Sequence, residues 1–169
     1  MKKLFKTVLT VIAITTLIAC KNEAKTKNAN EETVETSKTE LTFSNPDVKN
    51  QFRHYIHLKT ALVNSDVSEA KSGAKMLMEN TDDAQLKNML SKISDARDIE
   101  EQRTIFSSVT EKMTAIVDES IKNGEVYKQF CPMAFNNEGG YWLSTEREIR
   151  NPYFGDKMLK CGKVSETIK

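Results

Sequence analysis

The sequence predicts a mainly α-helical fold: an antiparallel, up-and-down four-helix bundle followed by a small, irregular, hairpin-like segment rich in cysteine and methionine. Apolar residues recur at helical spacing across residues 45–124. Capping residues divide that stretch into four segments. After Gly124 the pattern changes to short runs rich in aromatic and β-branched residues. A length of 169 residues is enough for one such domain, and we assign it to residues 45–169.

Residues 1–19 predict a bacterial lipoprotein signal peptide. The segment begins with lysines and continues with an apolar run that is too short to span a membrane as a helix. Leu17-Ile18-Ala19-Cys20 resembles the lipobox, in which the cysteine becomes the lipid-bearing first residue of the mature protein. We therefore expect lipidation of Cys20 and attachment to a membrane of the bacterial cell envelope, on the periplasmic or outer-membrane side. An ordinary signal peptide with an incidental cysteine is the alternative.

Residues 20–44 predict a flexible, lipid-anchored tether. Val34 and Leu41 are the only large apolar residues between Lys21 and Thr42, so this stretch has too little apolar surface to fold. A random coil of this length has a root-mean-square reach of roughly 25 Å.

The four helices are predicted over residues 45–124, each with a capping residue and an apolar stripe. The expected N-terminal caps are, in chain order, Asn45, Asp66, Thr81 or Asp82, and Asp98. Gly124 follows the last helix. We expect these helices to share a core that includes Phe52, Ile56, Leu77, Leu90, Phe106, Val109 and Ile116.

Residues 125–169 predict a cysteine- and methionine-containing module. Val126–Phe135 and Tyr141–Leu143 are expected to be extended and to be joined by a turn at Asn136–Gly140. Helical turns are expected after Ser144 and after Asn151-Pro152, the last ending at Gly162.

Two sulfur pairs bracket this module: Cys131 with Met133, and Met158 with Cys161. Strand alternation or helical spacing would place both sulfurs of each pair on one side. Thiolate and thioether together favour copper(I) or silver, so these four residues are candidate metal ligands. Two cysteines in an exported protein also predict a disulfide, and both interpretations stay open. His54 and His57 lie on the solvent side of the first helix, either as surface residues or as additional ligands.

The runs CPMAFNNEGGYWLS and EIRNPYFGDKMLKCG resemble the signature of a bacterial domain family of unknown function. That family occurs as stand-alone lipoproteins and fused to periplasmic adaptors of copper and silver efflux pumps. The resemblance implies a role in the cell envelope near copper handling. Cys131-Pro132-Met133 also resembles the short metal-binding segments of such adaptors, which usually continue into a histidine where this chain has Ala134.

Two functions follow from these observations. The first is an envelope lipoprotein that binds or buffers copper(I) or silver and hands it to an efflux pump or its periplasmic adaptor. The alternative is a membrane-tethered helical module for protein–protein interaction, with a structural Cys131–Cys161 disulfide.

Two classes of function are not expected. Without Lys2, Lys3 and Lys6 the 25 basic residues fall to 22 against 24 acidic ones, which excludes the basic surface that nucleic-acid binding requires. No phosphate loop or nucleophile motif is present, so we expect no enzyme.

Overall fold

The computed structural model describes residues 40–169. Four helices form half of this part of the chain: α1 (Pro46–Val63), α2 (Val67–Glu79), α3 (Ala84–Asp95) and α4 (Ile99–Ser120). Within it, no helix combines the length and the apolar character needed to cross a membrane. The predicted signal peptide, the lipidation at Cys20 and most of the predicted tether lie outside the described residues.

Side chains cap these helices largely where the sequence predicts. Asn45, Asp66 and Asp98 each accept a hydrogen bond from a backbone N–H in the first turn of the helix that follows. The predicted cap of α3 was wrong by one or two residues, because Asp83 accepts from the Leu86 N–H at 2.8 Å. Thr81 instead accepts from the Asp83 N–H at 3.3 Å, which positions the true cap.

Helices α1 to α4 pack in chain order, and α4 also packs against α1. The α1–α2 contact is close because α2 presents small residues, among them the buried Ala70 and Ala74. At Gly73, a Cβ atom would approach the backbone N and Cα of Leu58 to 3.0 Å. The fold is therefore mainly helical, as predicted, and its first two helices are in close contact at a glycine.

The helical core confirms most of the expected apolar positions. Phe52, Leu77, Leu90, Phe106 and Val109 are buried, whereas Ile56 and Ile116 are partly buried against the same core. A column of aromatic rings runs through it, with centroid separations of 6.1, 5.2 and 6.2 Å, along Phe52, Tyr55, Phe106 and Tyr153.

Two small antiparallel sheets complete the described fold. The first pairs β1 (Thr42–Phe43) with β2 (Ile121–Asn123). The second has the order β4-β3-β5 and consists of β3 (Val126–Cys131), β4 (Gly140–Ser144) and β5 (Lys163–Ile168). Tyr55 on α1 joins the second sheet to the helices, because its hydroxyl accepts from the Leu143 N–H at 3.0 Å and contacts the Thr110 hydroxyl at 2.8 Å.

The structure corrects several predicted boundaries after the helices. The first extended segment ends at Cys131 rather than Phe135, and a tight turn over Ala134–Asn137, with positive φ at its last three residues, precedes β4. No helical turn follows Ser144, and Asn151-Pro152 leads only to a single 3-10 turn at Gly155–Met158. Strands β1, β2 and β5 were not predicted; β1 also shortens the predicted tether, because its residues are held against the end of α4.

Candidate functional site

The two cysteines of the C-terminal module lie side by side. Cys131 ends the central strand β3, and Cys161 lies in the loop just before β5. Their Sγ atoms are 3.2 Å apart, and both residues are thiols. Cys131 is buried and Cys161 is partly exposed. The Cys131 neighbour, followed by burial, raises the pKa of the Cys161 thiol, so Cys161 stays protonated at neutral pH.

Gly162 allows this approach of the two cysteines. Its φ is +142°, a backbone conformation that side chains rarely adopt. A Cβ atom there would lie 2.8 Å from the Phe130 carbonyl oxygen and 2.9 Å from the Trp142 ring. Glycine therefore lets the chain that follows Cys161 pass directly over the end of β3.

Asn151 fixes the loop that carries Cys161. Its fully buried side-chain amide donates to the Cys161 carbonyl oxygen at 2.9 Å. Its Oδ1 atom accepts from the Tyr153 N–H at 2.8 Å, and its own N–H donates to the Leu159 carbonyl oxygen at 2.9 Å. Asn151-Pro152, which predicted the start of a helix, therefore lies in a loop that the Asn151 side chain holds in place.

The two methionines of the predicted site line the same cavity. Met133 and Met158 line one cavity of about 510 Å³, to which Glu100 and Arg103 also contribute. Neither cysteine is among the lining residues. Met133 is 47% exposed, so its thioether is accessible to solvent. Both methionines therefore line one cavity, and the two thiols lie side by side.

A strained turn forms part of that cavity. Phe135, Asn136 and Asn137 have φ values of 52°, 56° and 72°, three successive left-handed residues that are not glycine. Such conformations cost free energy and persist only where surrounding structure holds them, often at functional sites. Gly139 follows at φ +90°, with the Phe130 ring where a Cβ atom would lie.

Arg103 joins the residues around the methionine cavity to the helices. Sequence analysis did not identify this arginine. Its side chain is 3% exposed and donates to the carbonyl oxygens of Pro152 at 2.8 Å and Leu62 at 3.0 Å. It also donates to the Ser65 hydroxyl and to the Glu100 carboxylate. The available signal was an arginine one helical turn before Phe106, on the buried face of α4.

Gln129 is a second buried polar residue that sequence analysis missed. Its side-chain oxygen accepts from Trp142 Nε1 at 2.6 Å. Its amide nitrogen donates to the carbonyl oxygens of Glu146, Arg147 and Glu148. These bonds hold residues 146–148 in a bent loop, which explains why no helix forms there.

The histidines do not join the cysteines. His57 Nε2 contacts the Glu69 carboxylate at the start of α2, and His54 lies beside Arg53 on α1. Burial, and then the Arg53 charge, lower the pKa of His54. Within residues 40–169, no three side chains from His, Cys, Asp and Glu gather as a metal site would require. Neither histidine therefore completes such a group with the cysteine pair.

The described chain is thus a helical domain whose C-terminal sheet and loop carry a pair of adjacent thiols. Residues 52–124 match the model of a family described as a protein of unknown function, DUF3347. The match covers the helical part and is consistent with the resemblance to a domain family of unknown function; the two cysteine-containing runs lie outside it. No curated protein and no solved structure matches the chain.

Proposed function

We propose that this domain binds a soft monovalent cation, copper(I) or silver, through the thiolates of Cys131 and Cys161. The 3.2 Å separation of their Sγ atoms carries the proposal. At a metal–sulfur distance of about 2.3 Å, two thiolates on one ion lie about 3.8 Å apart in tetrahedral geometry and about 4.6 Å apart in the linear geometry of a two-thiolate copper(I) site. The pair therefore needs to separate by about 0.6 to 1.4 Å, and the partly exposed Cys161 is the thiol that lies nearer the surface.

Met133 and Met158 supply thioethers next to the thiol pair in sequence and share a surface cavity. Thioethers need no deprotonation, and they select soft ions over zinc or calcium. We assign them the capture of the ion and its passage to the cysteines. The proposed ligand set does not include His54 and His57, because they lie on α1 with other partners.

In the cell, we propose an envelope lipoprotein anchored through Cys20 that buffers the ion and passes it to an efflux pump or its periplasmic adaptor. Helices α1 to α4, as an up-and-down bundle, provide the rigid support for the sulfur-containing loops. The function is one of binding without catalysis. Replacing Cys20 by Ser should release the protein from membranes or stop its processing; a mature N-terminus that mass spectrometry shows to lack lipid would contradict the anchor.

Competition with a copper(I) chelator, under reducing conditions and with the full-length protein, tests metal binding. We expect Cys161→Ser to lose high-affinity binding, and the Met133→Leu, Met158→Leu double variant to bind more weakly. Leucine and methionine have similar volumes, so stability should change by less than about 1.5 kcal/mol. Met76→Leu is the matched control, because Met76 is also exposed and lies on α2.

Affinity should also rise with pH, because the ion displaces the proton of Cys161, whose pKa is raised. Absence of copper(I) binding by the reduced wild type would remove the metal function. Equal affinity in the wild type and the double methionine variant would remove thioether participation alone.

A structural disulfide is the second candidate, and the same distance supports it. A contraction of about 1.2 Å would bring the sulfurs to the disulfide bond length of about 2.05 Å. Closing the loop from Cys131 to Cys161 would stabilise the fold by roughly 3 to 4 kcal/mol. The domain would then be a membrane-tethered protein–protein interaction module. Mass spectrometry after thiol labelling of the native protein separates the two. Cysteines that react with the label, either directly or once a chelator has removed the metal, favour metal binding. Cysteines that react only after reduction favour the disulfide.

A further inference from the structure

A second cavity, which the proposed metal function does not use, lies at the start of α1. It has a volume of about 320 Å³, at the lower end of the range for small-ligand sites. Phe52 is buried at its floor, and its ring lies 5.8 Å from that of Phe43, centroid to centroid. Among the residues that line it are Leu41, Phe43, Lys49, Phe52, Arg53 and Ile56.

The walls of this cleft combine an apolar surface with two cations. Leu41, Phe43 and Ile56 are each only partly buried, so the cleft leaves apolar surface open to solvent. Lys49 and Arg53 stand one helical turn apart on α1, four residues from each other, and both are exposed. Like charges at this spacing repel, and an anion between them would relieve that repulsion.

Among residues 40–169, little negative charge lies close to Lys49 and Arg53. Lys49 approaches Glu40 only at 3.7 Å, with both side chains more than half exposed, and such pairs are weak. Within the described chain Arg53 forms no salt bridge, and its one side-chain hydrogen bond is to the neighbouring His54. The two cations are therefore available to a ligand.

We propose that this cleft binds a single-chain fatty carboxylate of medium length. The apolar walls take the hydrocarbon chain, and Lys49 and Arg53 take the carboxylate by charge-assisted hydrogen bonds. The concave shape and the volume of about 320 Å³ favour one unbranched chain over a two-chain membrane lipid. The site lies on α1 and β1, and it involves none of the four sulfur residues.

Methyl NMR of the full-length protein in nanodiscs of zwitterionic phospholipid tests this proposal, with decanoate as the probe. We expect saturable shifts of the Ile56 and Leu41 methyl groups, while methyl groups of the buried Leu77 stay unchanged. Decanol has the same chain without the charge and should bind about tenfold more weakly or worse, which corresponds to about 1.4 kcal/mol.

The Lys49→Gln, Arg53→Gln double variant should lose about tenfold or more in decanoate affinity and keep its decanol affinity. The matched control is Lys71→Gln, Lys75→Gln, a lysine pair at the same spacing on α2 and outside the cleft; it should bind as the wild type does. Three results would overturn the proposal: no saturable shift with decanoate, equal affinity for decanoate and decanol, or shifts that arise only when phosphatidylglycerol replaces the zwitterionic lipid. The last would identify the cleft as a membrane contact instead.

Discussion

Replacing Arg103 by Met should destabilise the protein and loosen the loop that leads to the candidate site. Methionine keeps much of the side chain's apolar stem and removes every donor. The carbonyl oxygens of Pro152 and Leu62, both bonded to Arg103 in buried positions, would then lack their partner. Each buried acceptor left without a donor lowers the free energy of unfolding by about 1–3 kcal/mol. Removing the buried charge offsets part of that loss, because the folded state no longer has to desolvate it. We expect the free energy of unfolding to fall by about 2–4 kcal/mol in total.

Urea unfolding at neutral pH measures this loss. The midpoint should fall with no change in the slope of the free energy of unfolding against urea, because the surface exposed on unfolding is the same. Arg97→Met is the matched control, since Arg97 is exposed just before α4, and it should change stability by less than about 0.5 kcal/mol.

Hydrogen exchange gives a second, local measurement of the same variant. The amides of Gly155 and Cys161 donate within the loop that Arg103 holds through Pro152, and they should exchange faster in Arg103→Met. A loss as small as that of Arg97→Met, with unchanged exchange at both amides, would refute the assignment of Arg103 as the link between the helices and this loop.

Three further predictions concern the core. Phe106→Ala should cost about 3–5 kcal/mol in urea unfolding, because the ring is fully buried and contacts two other rings; a loss below about 1 kcal/mol would be incompatible with that burial. Tyr55→Phe should cost about 1–3 kcal/mol, since it removes the only hydroxyl that bonds the Leu143 N–H; an unchanged midpoint would contradict that bond. Lys59→Met should raise the unfolding midpoint at neutral pH, because burial lowers the pKa of Lys59 and the folded state disfavours its charge. Wild-type stability should therefore rise relative to Lys59→Met as pH increases from the lowered folded-state pKa to the unfolded value near 10.5, and a constant difference between the two would disprove the shift.

The helical half of the protein could be predicted from sequence because its signals are local. A capping side chain lies two or three residues from the N–H group that it bonds, as Asp66 and Asp98 show. Apolar periodicity identified the inward face of α4, including Phe106 and Val109, before any contact was known. The error of one or two residues at the cap of α3 arose because several adjacent polar residues can each serve as a cap.

The C-terminal half could be predicted only in outline, because long-range contacts decide its conformation. Strand β5 has a weak pattern of its own and becomes a strand by pairing with β3, more than thirty residues earlier. The sequence after Ser144 favoured a helical turn, yet the amide of Gln129 binds three successive carbonyl oxygens there and holds a bend. Local propensity is weak compared with such tertiary contacts.

The candidate site could likewise be predicted from sequence only in part. Sequence alone determined which residues carry sulfur chemistry, since residue type and spacing identify Cys131, Met133, Met158 and Cys161. Only the tertiary structure decided that the thiols lie 3.2 Å apart and that both thioethers line one cavity. The physical reason is that ligand type is a property of each residue, whereas the distance between two sulfurs thirty residues apart depends on every contact that folds the intervening chain.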